Sequence, residues 1–440
     1  MQNLYEGVSI HKGFGTSSFF FNLFTIIPNL KLFAIMIRKL FALFFLLILS
    51  LSSAVPAAAQ RKEIAQAKDN VKAGKKLAEA EASMRHLLAD SANRNNDKIW
   101  LVLFDAVRKQ YEALNEQMYL KQTTDTASLF DVTYRLFGVL EGLDSVDARP
   151  DRKGRVELKY RRKHASWLNT YRRNLQTGGM FFMAKGNYLK AWTFFDAYID
   201  CARQPLFSSY NLAQKDPIMP KVAFNAVFCG HRASSPEKTL AHADLAQADT
   251  ARLDIVCRYM ADAYRQQADT TACLAVLHKG FDAYPKSDYF FSHLFDYYFR
   301  SADTCRALSL CDRALKADSL SFVARFAKSS VLLLQGHYDE CLVLSDALIA
   351  ADSTKADPYL NAALAYYNQA VSLDNKKLTN RTQRRQMQQL YRKALPYMER
   401  YRKLAPEAQS KWAMPLYTIY LNLNMGKEFE EIDGLMKKAK

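Results

Sequence analysis

Cys229 and His231, one glycine apart, are the only close Cys/His pair in the sequence. Two ligands with no identifiable others do not make a tetrahedral zinc shell. The eight histidines, at 11, 86, 164, 231, 242, 278, 293 and 337, fall at spacings that build no metal site on one helix. The seven cysteines contain no CxxC. No GxSxG, HExxH, GxxxxGK[ST] or GxGxxG is present, so neither a nucleophile elbow nor a phosphate cradle is offered. Asp296 and Glu340 are carboxylates at surface-facing helical positions, where solvation is the ordinary role. The residues nominate no catalytic group, no metal and no cofactor, and the expectation is a chain that is not an enzyme.

The chain must therefore be read for what its elements build. At 440 residues it exceeds a single core, which points to several domains or to a repeat architecture. Hydrophobic residues make up 49% and aromatic residues 12%, too rich for disorder. Only 15 glycines and 12 prolines punctuate it, which argues against a turn-rich β fold. Long periodic stretches divided by short Pro, Asp and Ser signals predict helices throughout.

The N-terminus is set apart from the fold. Arg38 and Lys39 form a positive start, Leu40 to Leu51 is apolar apart from Ser50, and Ala57 and Ala59 supply small side chains for cleavage before Gln60. Residues 36–59 are thus expected to be a signal peptide, with Met36 as the start and 1–35 as a non-native upstream extension. An uncleaved membrane anchor is the alternative, although the apolar run is short for a span. Export, most simply to the periplasm, is the expected localisation. Beyond residue 59 the chain carries 57 basic and 43 acidic side chains, a net of +14.

Internal periodicity is the strongest signal. Cys273, Ala307 and Cys341 are small residues 34 apart. Leu277, Cys311 and Ser345 follow four positions later, then Gly280, Ala314 and Leu348, then Pro285, Ser319 and Ser353. Upstream in the same frame stand Ala261, Phe295, Ser329 and Ala363, then Tyr264, Tyr298, Leu332 and Tyr366. Residues three and four apart share a helical face, so each unit is a pair of amphipathic helices joined by a tight turn. One such hairpin cannot bury its apolar face alone, and units must stack. Cys257, Cys273, Cys311 and Cys341 fall on core positions and are expected as buried free thiols, a disulfide framework being the alternative.

These columns resemble the tetratricopeptide repeat, a 34-residue helix-turn-helix. The fullest match runs through Leu175, Gly178, Gly179, Phe182, Gly186, Tyr188, Ala191 and Phe195. Units are placed at 168–202, 220–250, 254–285, 288–319 and 322–353, the second poorly matched. The next unit begins at Tyr359, Ala363 and Tyr366 but resumes only at Ala394, Met398 and Tyr401, which implies an insertion near 371–389. A pair at 408–438 closes the array. The resemblance implies an all-α fold, an α-solenoid wound as a right-handed superhelix, and looks like the exported tetratricopeptide-repeat proteins of the Bacteroidota. The expected division is an N-terminal helical region with divergent units at 60–145, a basic linker at 146–166, and the array at 167–440.

Positive charge is local. Residues 147–173 hold ten basic side chains against three acids, and 376–403 hold ten against Glu399 alone. Arg161, Arg162, Arg381, Arg384 and Arg385 are therefore candidates for an acidic partner or an anionic membrane surface. A solvated face is the plainer reading. Nucleic acid is disfavoured by export and by the lack of an RNA-binding signature.

In tetratricopeptide-repeat proteins the first helix of each hairpin lines a concave groove. The resemblance places Arg258, Asp262, Tyr289, Asp296, Phe299, Phe326, Leu333 and Tyr367 on that wall, an apolar row suited to a peptide or protein segment. The competing reading packs them against neighbouring repeats or a folded-over N-terminal segment. The Lys/Asn pattern that clamps a C-terminal carboxylate is absent. The implied role is a protein-interaction scaffold; the alternative is an envelope component attached through its basic clusters.

Overall fold

The computed structural model describes residues 59–120, 122, 125–151, 153–374 and 381–438, and among these no strand forms. The upstream extension and all but the last residue of the expected signal peptide lie outside the described residues. Among the described residues no helix is long and apolar enough to cross a membrane. The chain divides into two compact units at Asn169 and Thr170.

The first unit contains α1 (59–72), α2 (Leu77–Ala89), α3 (Asp97–Tyr119) and α4 (Thr126–Asp147), with α5 (Arg161–Ala184) beginning at its end. Asn96 and Asp125 cap α3 and α4, their side chains accepting the backbone N–H of Lys98 and Ala127. Ile99, Leu103 and Val107 of α3 are buried, as are Leu136, Leu140 and Leu143 of α4. Glu81 of α2 is also buried, but its carboxylate accepts from Gln110 of α3 at 2.8 Å and pairs with Arg85 at 2.9 Å and Arg135 of α4 at 3.1 Å. A buried charge held by three donors ties three helices together.

The second unit is a stack of hairpins. The end of α5 pairs with α6 (Tyr188–Asp200), and a 3₁₀ turn (Pro205–Tyr210) and α7 (Leu212–Lys215) lead to the next unit. There α8 (Met219–Arg232) faces a second helix broken into α9 (Pro236–Leu240) and α10 (Ala243–Ala246). The break sits at His242, whose backbone leaves helical geometry while its Nε2 lies 2.7 Å from Asp196 Oδ1 and its ring stacks on Trp192. This side-chain commitment explains why 220–250 matches the repeat poorly. Regular hairpins follow: α11 (Leu253–Gln266) with α12 (Thr270–Ala283), α13 (Asp288–Arg300) with α14 (Thr304–Ala317), and α15 (Phe322–Gln335) with α16 (Tyr338–Ala351). The last two are α17 (Asp357–Asp374) with α18 (Arg381–Leu404), and α19 (Gln409–Asn422) with α20 (Gly426–Lys438).

Each sequence column has a packing role. Cys273, Ala307 and Cys341 are buried where two helices of a hairpin cross, and Leu277, Cys311 and Ser345 are buried one turn on. Tyr298 is buried and reaches the preceding hairpin, its hydroxyl 2.6 Å from His278 Nε2 on α12. Phe295 takes a position expected to be small, and the helix accommodates it by stacking it between Phe291 and Phe299. The turns show a further period. Ser234, Ala268, Ala302 and Gly336, each 34 after the last, all adopt left-handed backbone with φ of 53°, 57°, 56° and 80°. Ser235, Asp269 and Asp303 follow as N-caps, so the chain reverses and restarts a helix within two residues.

The insertion expected at 371–389 is not a loop where it is described. It lengthens α17 to Asp374 and starts α18 at Arg381, ten residues longer than α16. Its Gln, Arg and Met content favours helix, and Met387 and Tyr391 give it a buried edge. The basic connection likewise ends at Tyr160, because α5 already begins at Arg161.

Candidate functional site

The first helices of the regular hairpins, α11, α13, α15 and α17, carry the predicted row. Part of that row bridges neighbouring helices. Tyr289 on α13 donates its hydroxyl to Asp262 Oδ1 on α11 at 3.2 Å, and the Arg258 guanidinium lies 5.0 Å over the Tyr289 ring. Burial, followed by the Asp262 carboxylate, pushes the Tyr289 phenol up to about 12. On α17, Asn361 donates to Ser329 at 2.8 Å and Ser330 at 3.0 Å on α15, and Tyr367 reaches Thr418 on α19 at 3.4 Å. Leu333 packs on the cluster of Leu332, Cys341 and Ala362. Arg258, Asp262, Tyr289, Leu333 and Tyr367 are thus joints between repeats, while Phe326 is half-buried.

The rest of the row faces outward around α13. Seven of its 13 residues are Phe or Tyr. A helix with neighbours on one side cannot bury rings on every face. Phe290, Phe291 and Tyr298 go inward, while Tyr297 and Phe299 stay 40% and 36% exposed, and Asp296 stands exposed beside them. Next to Tyr297 opens a cleft of about 230 Å³, lined by Arg265, Ala268, Thr270, Cys273, Leu274, Leu277, His293 and Tyr297. Its floor is apolar. Arg265 at its edge contacts Asp262 at 3.1 Å and keeps about half of its side chain exposed. Burial, and then the Arg265 charge, hold the His293 imidazole below its ordinary value. A neutral histidine, a cation and aromatic edges around a small apolar hollow can take one apolar or carboxylate-bearing side chain; nothing in it forms a nucleophile–base pair.

Leu274, His293 and Tyr297 were not in the predicted row. The signal was present in the aromatic excess of 288–300 and in the four-residue step from His293 to Tyr297, which puts both on one face. Among the described residues no three His, Cys, Asp or Glu side chains gather as a metal site. The seven cysteines are free thiols, and only Cys305 among them is exposed; burial raises Cys311 to about 12 and Cys341 to about 11.

No protein-family model and no curated protein matches this sequence. Solved structures are similar in backbone. MamA from Desulfovibrio magneticus RS-1 has 18% identity and a TM-score of 0.33 over 42% of this chain and 96% of its own. YrrB, described as a TPR protein with an unusual peptide-binding site, has 18% identity and a TM-score of 0.33 over 47% and 95%. A tetratricopeptide repeat protein from Parabacteroides merdae ATCC 43184 has 16% identity and a TM-score of 0.33 over 61% and 98%. The α-solenoid of tetratricopeptide-type hairpins is read from its own 34-residue register.

The basic candidates divide. Arg161 is committed to the fold: its Nε and Nη2 donate to Asp144 at 2.7 and 2.8 Å, and Asp144 is buried. Arg155 meets Asp151 at 3.0 Å in an exposed pair. Arg162 is exposed, as are Arg381, Arg384 and Arg385. In the first unit a cleft of about 590 Å³ lies beside the basic connection, but Asp97, Asp147, Asp151 and Glu157 line it together with Arg149, Arg155 and Lys159, so its charge is mixed.

Proposed function

We propose that this chain is a non-catalytic interaction scaffold, exported to the cell envelope, that seats a protein segment along α13 and its neighbours. The observation that carries this reading is exposed Tyr297 lining a small apolar cleft with Arg265 at its rim, with Phe299 also exposed two residues further along α13. Aromatic side chains next to a hollow that takes one side chain are the usual anchors of peptide recognition. The ladder of Arg258, Tyr289 and Asp262 supports this by locking α11 to α13, so the edge is presented on rigid elements. Export rests on the charged, apolar and small-residue pattern of 36–59.

The test is photo-crosslinking of the full chain in its own envelope, with the reactive group at Tyr297 or, as a control, at exposed Val343 on α16. A defined guest should crosslink from Tyr297 and not from Val343. Phe299→Asp should remove it; the variant also loses the Phe299 ring that stacks on Phe295 at 5.3 Å, so some fall in Tm is expected and circular dichroism verifies that it folds. Equal crosslinking from both positions, or an unaffected Phe299→Asp, refutes the assignment.

A further inference from the structure

The exposed face of the first turns of α18 is a second surface, independent of the α13 cleft. Arg381, Arg385 and Arg392 follow at intervals of four and seven residues, which sets them in one line along the helix, while Gln388 between them is half-buried and its Nε2 donates to Asn422 O on α19 at 3.5 Å. Arg384 flanks that line, and from Arg381 to Arg392 it is about 16 Å long. Met387, Tyr391, Ala394 and Met398 form a separate stripe, buried in the core formed with α17 and α19, and the arginines stand outside it.

Its cations are uncompensated. Arg381, Arg384, Arg385 and Arg392 are exposed and pair with no described carboxylate. Arg402, further along, is held by Glu431 at 2.6 Å, and Arg161 in the other basic stretch by Asp144. Like charges four apart weaken a helix, so a partner that neutralises them relieves repulsion already present. The other exposed positions in this stretch are Thr382, Gln386 and Gln389, with no apolar wedge of the kind that inserts between lipid headgroups. All four cations are arginine, whose planar fork pairs bidentately with carboxylates.

We propose that this arginine line docks an acidic helical segment of a partner protein, with carboxylates at the four- and seven-residue spacing of Arg381, Arg385 and Arg392. The test uses the full chain and a labelled helical peptide about three heptads long with Glu at that spacing, read by fluorescence anisotropy at two salt concentrations. Binding should weaken at least about tenfold in the triple variant Arg381→Glu, Arg385→Glu, Arg392→Glu, and should fall with salt. Reversal of Lys153, Arg149 and Arg162 should leave it unchanged, as should Tyr297→Asp. All substituted arginines are exposed, and circular dichroism verifies that each variant folds. Equal binding of a scrambled peptide of the same charge overturns the proposal. So does failure of the peptide with sedimentation on anionic vesicles that the triple variant loses, which would assign a lipid surface. Peptide failure with concentration-dependent self-association lost in the triple variant would assign a second copy instead, and peptide failure alone also overturns it.

Discussion

Gly280 sits on the inner side of α12 where α13 crosses it. A Cβ built there would lie 2.3 Å from Phe290 Cε1, 2.5 Å from Cζ and 2.6 Å from Cδ1. Phe290 is fully buried and cannot swing away into solvent. In an open helix, Gly→Ala gains about 1 kcal/mol, whereas overpacking a filled core costs about 1–3 kcal/mol. Gly280→Ala should therefore destabilise by about 1 kcal/mol net, within a range of about 0–2. Phe290→Leu removes the two nearest of the three atoms, so in that background Gly280→Ala should instead stabilise by up to about 1 kcal/mol. The double-mutant cycle then shows a coupling of about 1–3 kcal/mol. Urea unfolding of the four proteins measures it, with equal m-values required before the energies are compared. A Gly280→Ala gain in the wild-type background, or the same change in both backgrounds within about 0.5 kcal/mol, would refute the claim that this glycine sets the approach of adjacent hairpins.

Arg161→Ala should cost about 2–3 kcal/mol, because it strands the buried Asp144 carboxylate; the figure is set at or below the usual range for a broken buried pair because Arg161 is itself 21% exposed. Arg162→Ala should stay within about 0.5 kcal/mol, and thermal unfolding separates the two. Stability should also fall as pH is lowered from about 7.5 to 5. Burial is the leading cause that depresses the imidazoles of His164, His278 and His293 in the folded chain. The unfolded chain therefore binds protons first, near the ordinary value of about 6.5, and the stabilisation present above it is lost as pH falls through that value toward the folded ones. Replacing the three histidines by Gln should flatten Tm against pH over this window; an unchanged slope would show that other groups govern it.

Much of the hairpin register was written in local chemistry. Cys273, Ala307 and Cys341 could be read as crossing points because helix geometry alone puts residues at i, i+3 and i+4 on one face, and a 34-residue interval repeats that face. Asp269 and Asp303 are caps for reasons confined to one turn of helix. The left-handed turns were not legible, since Ser234, Ala268 and Ala302 occupy positions where glycine would have been the signal; the stacked hairpins impose that geometry on them. Charge could be located but not sorted. Ten basic residues in each stretch look alike in sequence, and only the approach of Asp144 to Arg161 across 17 residues, and the lack of any such carboxylate near Arg381, Arg385 and Arg392 among the described residues, distinguishes a fold contact from an open surface. The same holds for the inner row. Its helical phase follows from sequence, but whether Tyr289 meets a guest or Asp262, 27 residues away, is decided by how neighbouring helices pack, because hydrogen bonds and burial depend on distances that periodicity does not contain.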